Sequence, residues 1–203
     1  MTDIEEHDGN PPLVFAFASE NDHRFEWGHF LSSIGVAHVL LRDAADNWYT
    51  DDVPAISWRL RMKKTGDSVA LGLSKGGYAA LKFAKLADIP KVIAISPVTG
   101  NGFLVGQEFP EGIRDRVTIH PRFVIDDIKV MYADGNNPFV SCYITDGTGG
   151  QNEAPEVDRI MAERINPDRL VFVPGYSHGG PNNLARGMRD NGMLQQVLLE
   201  GGI

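Results

Sequence analysis

The chain alternates between short apolar runs and stretches in which apolar residues recur at helical spacing. The runs are Leu13–Ala18 (LVFAFA), Val36–Leu41 (VAHVLL), Ser68–Leu73, Val92–Ile95, Phe139–Thr145 (FVSCYIT) and Leu170–Val173. Each has strand length and is continuous rather than alternating, as befits strands covered on both faces. Between them, Phe25–Ile34 (stopped by Gly35), Pro54–Lys64 (stopped by Gly66), Tyr78–Leu86, a short piece within Phe123–Tyr132, Pro155–Ile165 and a last stretch within Pro181–Leu199 read as helices. This alternation predicts an α/β fold: a three-layer α/β/α sandwich around a mainly parallel sheet of about six strands with right-handed connections. Residues 1–12 are acidic and polar and close on Pro11-Pro12, so they read as a tail before a single domain at 13–203. From Val98 to Asn137 the pattern is broken by Gly100, Gly102, Gly106, Pro110, Gly112 and Pro121, which predicts an irregular, cap-like insertion.

The third run carries the first chemical signal. It leads directly into Gly72-Leu73-Ser74-Lys75-Gly76-Gly77, and the helix of Tyr78–Leu86 follows. A bare G-x-S-x-G arises by chance in roughly one chain in ten of this length, so the context carries the weight. Strand, motif and helix in immediate succession describe a nucleophile elbow, a turn so tight that the serine is strained and its flanks must be small. Gly72 and Gly76 meet that need, and Gly77 lets the helix pack close to neighbouring strands. Ser74 is then the candidate nucleophile, with the Lys75 amide pointing where an oxyanion would form.

A serine hydroxyl needs a base, and an imidazole base needs a carboxylate to hold its tautomer. In an α/β sheet, converging groups sit in loops after the carboxyl ends of strands. The fifth run ends at Thr145 and is followed by Asp146-Gly147; the sixth ends at Val173 and leads through Pro174–Ser177 to His178-Gly179-Gly180. The candidate triad is therefore Ser74, Asp146 and His178. Asp146 also suits a plain turn before Gly147. His23 and His29 fit solvent positions, His38 a core strand position and His120 the irregular segment. Asp126, Asp127 and Asp134 fit helix-surface or turn roles, and Ser96–Gly102 offers no carboxylate.

The order serine, acid, histidine, each after its own strand, resembles that of the α/β-hydrolase superfamily. The likeness runs from about Leu13 to the C-terminus and implies a compact member with six parallel strands and without the N-terminal antiparallel hairpin of larger ones. It implies that Ser74 is the nucleophile, His178 the general base and then acid, and Asp146 the orienting acid. It further implies an oxyanion hole made by the Lys75 amide and one amide after the first core strand, from Ala18 or Ser19. The chain departs from the pattern there, because Ala18-Ser19-Glu20-Asn21 is no H-G-G-G run. Leu40–Tyr49 (LLRDAADNWY) also resembles small hydrolase-like proteins encoded with bacterial surface-polysaccharide genes.

Composition narrows the remaining classes. A net charge of −8 with no Lys/Arg cluster argues against a nucleic-acid partner. Arg59, Arg61, Lys63 and Lys64 read as the solvated face of a helix. No apolar run reaches membrane-spanning length, no basic start precedes an apolar h-region, and the single cysteine, Cys142, lies in an apolar run as a buried thiol. A cytoplasmic protein is expected. There is no G-x-x-x-x-G-K-[ST], no G-x-G-x-x-G and no zinc-spaced cluster, so neither cofactor nor metal is expected. The expected substrate is a small-molecule or carbohydrate ester, cleaved through an acyl-enzyme. Acyl transfer to a sugar or other alcohol on the same residues is the alternative, and a non-catalytic binding domain a third reading. Phe103, Leu104, Phe109, Trp48 and Tyr49 are candidates for either a substrate pocket or the core.

Overall fold

The computed structural model describes residues 2–19, 27–100, 125–146, 155–180 and 182–199. Its strands are β1 (Thr2–His7), β2 (Asn10–Phe17), β3 (Val36–Asp43), β4 (Val69–Leu73), β5 (Lys91–Ile95), β6 (Phe139–Thr145) and β7 (Arg169–Val173). The helices among the described residues are α1 (Gly28–Ser33), α2 (Val53–Lys63), α3 (Lys75–Ala87), α4 (Ile128–Met131), α5 (Pro155–Glu163), α6 (Leu184–Asp190) and α7 (Met193–Leu199). One sheet runs in the order β1-β3-β2-β4-β5-β6-β7. The six apolar runs form its six parallel strands.

Successive side chains of a strand enter opposite layers, and β2 shows the consequence. Phe15 and Phe17 belong to the core shared with Ile56 and Leu60 of α2, Phe83 of α3, Ile128 of α4 and Ala162 of α5. Val14 and Ala16 belong to the other core, with Leu31 of α1, Leu184 and Met188 of α6, and Leu194 of α7. Both faces of the central strands are thus dry, which is why their sequences are continuous and not alternating, whereas β7 at the edge leaves Phe172 exposed.

Two expectations need correction. Residues 2–7 are no tail: they form an antiparallel seventh strand on the edge of β3, with Ile4 opposite Leu41. Ile4 is the one aliphatic residue of this strand, so hydropathy could not reveal it. Ion pairs hold it instead, Asp3 with Arg42 and Glu6 with both Arg59 (2.5 Å) and Lys63 (2.6 Å). Two of the cations expected on a solvated helix face therefore serve the edge strand, whose charges also blunt unwanted pairing. The last helical stretch is two helices, broken at Gly192, whose φ of +81° lies in the left-handed region.

The strand order reverses direction between β2 and β4. Connections from β2 lead outward to β3, and those from β4 lead the other way through β5, β6 and β7. The carboxyl ends of β2 and β4 therefore flank a topological switch point, where open α/β sheets form their crevices. Of the cap-like segment, residues 101–124 lie outside the described residues, and with them Phe103, Leu104, Phe109 and His120. Its far end is pinned by α4 and by the bidentate pair of Arg164 with Asp127 (2.9 Å for each bond).

Candidate active site

Ser74 joins β4 to α3 with φ 51° and ψ −114°, the strained conformation that a strand-to-helix elbow demands. The residues two before and two after it must be glycines. A Cβ on Gly72 would lie 2.1 Å from the Gly76 carbonyl oxygen, and one on Gly76 would lie 2.3 Å from that of Phe17. Gly77 has the same purpose more mildly, since its Cβ would meet Pro97 at 3.1 Å. The elbow is tied to the next strand from both sides. Ser74 N–H donates to Ile95 O (2.9 Å), and Ser74 O accepts from Tyr78 N (3.0 Å) and Val98 N (3.3 Å).

His178 reaches the serine from beyond β7. Its Nε2 lies 2.9 Å from Ser74 Oγ, across 104 residues of sequence. The loop that carries it is cross-braced by Ser177 N–H to Asn182 O (3.1 Å), Leu184 N–H to Ser177 O (2.9 Å) and Ser177 Oγ to Gly179 O (2.6 Å). Thr145, the last residue of β6, donates its hydroxyl to Tyr176 O and ties this loop to the sheet.

The carboxylate behind the imidazole differs from the expected one. His178 Nδ1 lies 2.8 Å from Oδ1 of Asp158, on the first turns of α5. Asp146 sits at the rim after β6 as expected, but its Oδ1 accepts from the Gly175 N–H (3.3 Å), in the loop of His178. Asp158 is almost buried and presents its second oxygen, Oδ2, without a hydrogen-bond partner among the described residues. A signal for it existed. Asp158, Met161, Ala162 and Ile165 share the i, i+3, i+4, i+7 stripe that faces the core, and a carboxylate in an apolar stripe is out of place unless something holds it there. The order along the chain is still serine, acid, histidine.

The Lys75 amide is the first of α3 and belongs to the N–H groups without an intrahelical acceptor. Its side chain brings a feature the sequence did not announce: the ammonium is buried between Asp43, the last residue of β3 (3.5 Å), and Asp46 of the loop that follows (2.6 Å). On the other flank, the Ala18 N–H is committed to Leu41 O (2.9 Å). Ser19 follows it at the end of β2 and is half-buried.

His29 is exposed, and His23 lies outside the described residues. His38 is buried, with Nδ1 on Val36 O (2.8 Å) and its ring stacked on that of His7. Asp126 pairs with Lys82 and Asp134 with Lys85. Burial pushes the Cys142 thiol up to about 12, so it is inert at neutral pH. Half-buried Trp48 packs edge-on against Tyr78, and fully buried Tyr49 against Phe17 in the core. Among the described residues there is no metal-ligating group of three or more side chains, and no helix is long and apolar enough to cross a membrane.

No protein-family model and no curated protein sequence matches the chain. Solved structures do. The capsule O-acetyltransferase of Neisseria meningitidis serogroup A is similar at 14% identity, over 96% of this chain and 90% of that one, with a TM-score of 0.65. Est1E from Butyrivibrio proteoclasticus, in a structure with ferulic acid bound, is similar at 15% identity over 97% and 95%, with a TM-score of 0.55. The alpha/beta hydrolase domain-containing protein 10 from mouse is similar at 12% identity over 97% and 94%, with a TM-score of 0.57. Together with the sheet order and the elbow, these likenesses show that the fold is that of the α/β hydrolases.

Proposed function

We propose that the chain is a serine hydrolase that cleaves a carboxylic ester through an acyl-enzyme. The observation that carries this reading is the continuous chain of contacts from Ser74 Oγ through the His178 ring to Asp158. His178 Nε2 takes the proton of Ser74 as Oγ attacks the ester carbonyl, and the resulting oxyanion is received by the Lys75 amide and the Ser19 amide. Ala18 is set aside as the second donor because its N–H is spent in the sheet edge. The imidazolium then protonates the leaving alcohol, and water repeats the cycle on the acyl-enzyme. Asp158 keeps the proton on Nδ1, so that Nε2 faces the serine as a base. Asp146, expected in that role, instead holds the loop of His178.

Acyl transfer is the second reading, in which a sugar or other alcohol takes the place of water on the same residues. It is favoured by the likeness to the capsule O-acetyltransferase, whose structures include a variant in complex with CoA. The experiment that tests both is labelling with a fluorophosphonate, followed by turnover of p-nitrophenyl esters and of acetyl-CoA with and without added sugar alcohols. Labelling confined to Ser74 and ester turnover without an acceptor support hydrolysis. Product formed only when an acceptor is present supports transfer. Absence of labelling and of both activities contradicts the proposal.

A further inference from the structure

The segment Asp43–Tyr49 lies against the candidate site without contributing a group to its chemistry, and it is built at some cost. Trp48 and Tyr49 have positive φ (60° and 54°), a region that bulky side chains avoid, and Asp46 enters it too (49°), as aspartate more readily does. Asp43, itself buried, holds the turn by accepting from the Trp48 N–H (2.8 Å) and the Tyr49 N–H (3.4 Å), and Lys75 ties it to the elbow. The strain delivers one side chain to one place. Tyr49 is fully buried, and its hydroxyl lies 2.8 Å from Ala18 O and 3.0 Å from Leu41 O.

Ala18 O belongs to the peptide whose nitrogen is that of Ser19. A trans peptide is planar, and its C=O and N–H point in opposite directions. Fixing the carbonyl toward Tyr49 therefore aims the Ser19 N–H away from the core. The preceding peptides are held as firmly: Phe17 O accepts from the Trp27 indole N–H (3.1 Å), and Ala18 N–H donates to Leu41 O. The segment lies directly on the first turn of α3, since a Cβ on Gly76 would meet Phe17 O at 2.3 Å and Ala18 C at 3.1 Å.

We propose that Tyr49 is a positioning residue, its hydroxyl holding the Ala18 carbonyl so that the Ser19 amide is aimed at the oxyanion formed on Ser74. Tyr49 touches no substrate. It removes the freedom of one peptide to rotate, and a pre-aimed donor is what stabilises charge as it develops. This rests on the ester-cleaving reading given above.

The test is a cycle of Y49F, S19P and the double variant, with wild type, on a p-nitrophenyl ester that wild type turns over. S19P removes the Ser19 N–H itself. Y49F is expected to lower kcat by roughly tenfold to a hundredfold with KM nearly unchanged, and to weaken inhibition by a trifluoromethyl ketone, which forms a tetrahedral oxyanion, by a similar factor. The double variant should be no slower than S19P alone, because both changes disable one donor. Wild-type kcat in Y49F, or losses that multiply in the double variant, would overturn the proposal. Should Y49F not fold, D43N loosens the same turn: a smaller kcat loss at constant KM supports the proposal, and unchanged kcat overturns it. Wild type that neither turns over esters nor reacts with a fluorophosphonate would instead sink the hydrolase reading itself.

Discussion

His178 Nδ1 is paired with Asp158 Oδ1 at 2.8 Å, although Asp146 stands closer to the end of a strand and in the more usual place. The two carboxylates meet different partners. Asp158 faces the ring, and Asp146 faces the backbone of the loop that carries it.

That division predicts unequal mutants. D158N should lower kcat for ester hydrolysis by about a thousandfold or more, because an amide that donates to Nδ1 favours the wrong tautomer. D146N should cost less than about tenfold, since its hold on the loop is weakened while the ring keeps Asp158. Steady-state kinetics on both variants check this. Equal losses, or a larger loss in D146N, would move the acid back to Asp146.

The elbow predicts a steric hierarchy among its glycines. A methyl at Gly76 would drive into the Phe17 carbonyl, which belongs to a central strand and cannot retreat. G76A should therefore destabilise the fold by about 3 kcal/mol or more, at or beyond the upper end of ordinary overpacking. G77A meets Pro97 at 3.1 Å and should cost only about 1 kcal/mol. Urea midpoints for the two variants decide it, and equal midpoints would contradict the geometry.

Stability should fall with acid in two stages. His38 has its pKa lowered, first by burial and also by the neighbouring His7, against the opposing pull of the Val36 carbonyl and Glu5. The folded protein thus binds fewer protons than the unfolded chain once the pH drops through the ordinary histidine range, and stability declines from about pH 6.5 downward. Asp127 follows at lower pH. Burial alone would raise its pKa, but the bidentate Arg164 pair outweighs burial and lowers it. Its contribution is present above the ordinary aspartate range and is lost as the pH falls through the depressed value. Chemical denaturation across pH should show the upper limb flattened in H38Q and the lower limb flattened in D127N. Limbs unchanged by these substitutions would contradict the assignments.

Much of this was legible before the structure. Six strands announced themselves by continuous apolar runs, which the central ones owe to two dry faces, and Ser74 and His178 stood out because elbow and post-strand loop are local patterns. The edge strand had no local signature, and Asp158 had only its place in the apolar stripe of α5. The edge strand Thr2–His7 is held by charges from β3 and α2, partners that hydropathy cannot foresee. Asp158 sits on a helix, so its meeting with His178 depends on how α5 is docked. Thr99 Oγ1 on Met161 O (2.8 Å) and Arg164 on Thr99 O (2.9 Å) fix that docking. The role of Tyr49 was hidden in a run, NWY, that reads equally as core.

Cleavage through an acyl-enzyme requires that Ser74 carry the acyl group during turnover. The most direct measurement is the intact mass of the protein quenched in acid during turnover of a p-nitrophenyl ester, followed by peptide mapping. An added acyl mass is expected on the peptide containing Ser74, absent in S74A, with His178→Ala slowing its formation by several orders of magnitude. Ester turnover in S74A equal to wild type, or an adduct carried by any other residue, would contradict acylation at Ser74.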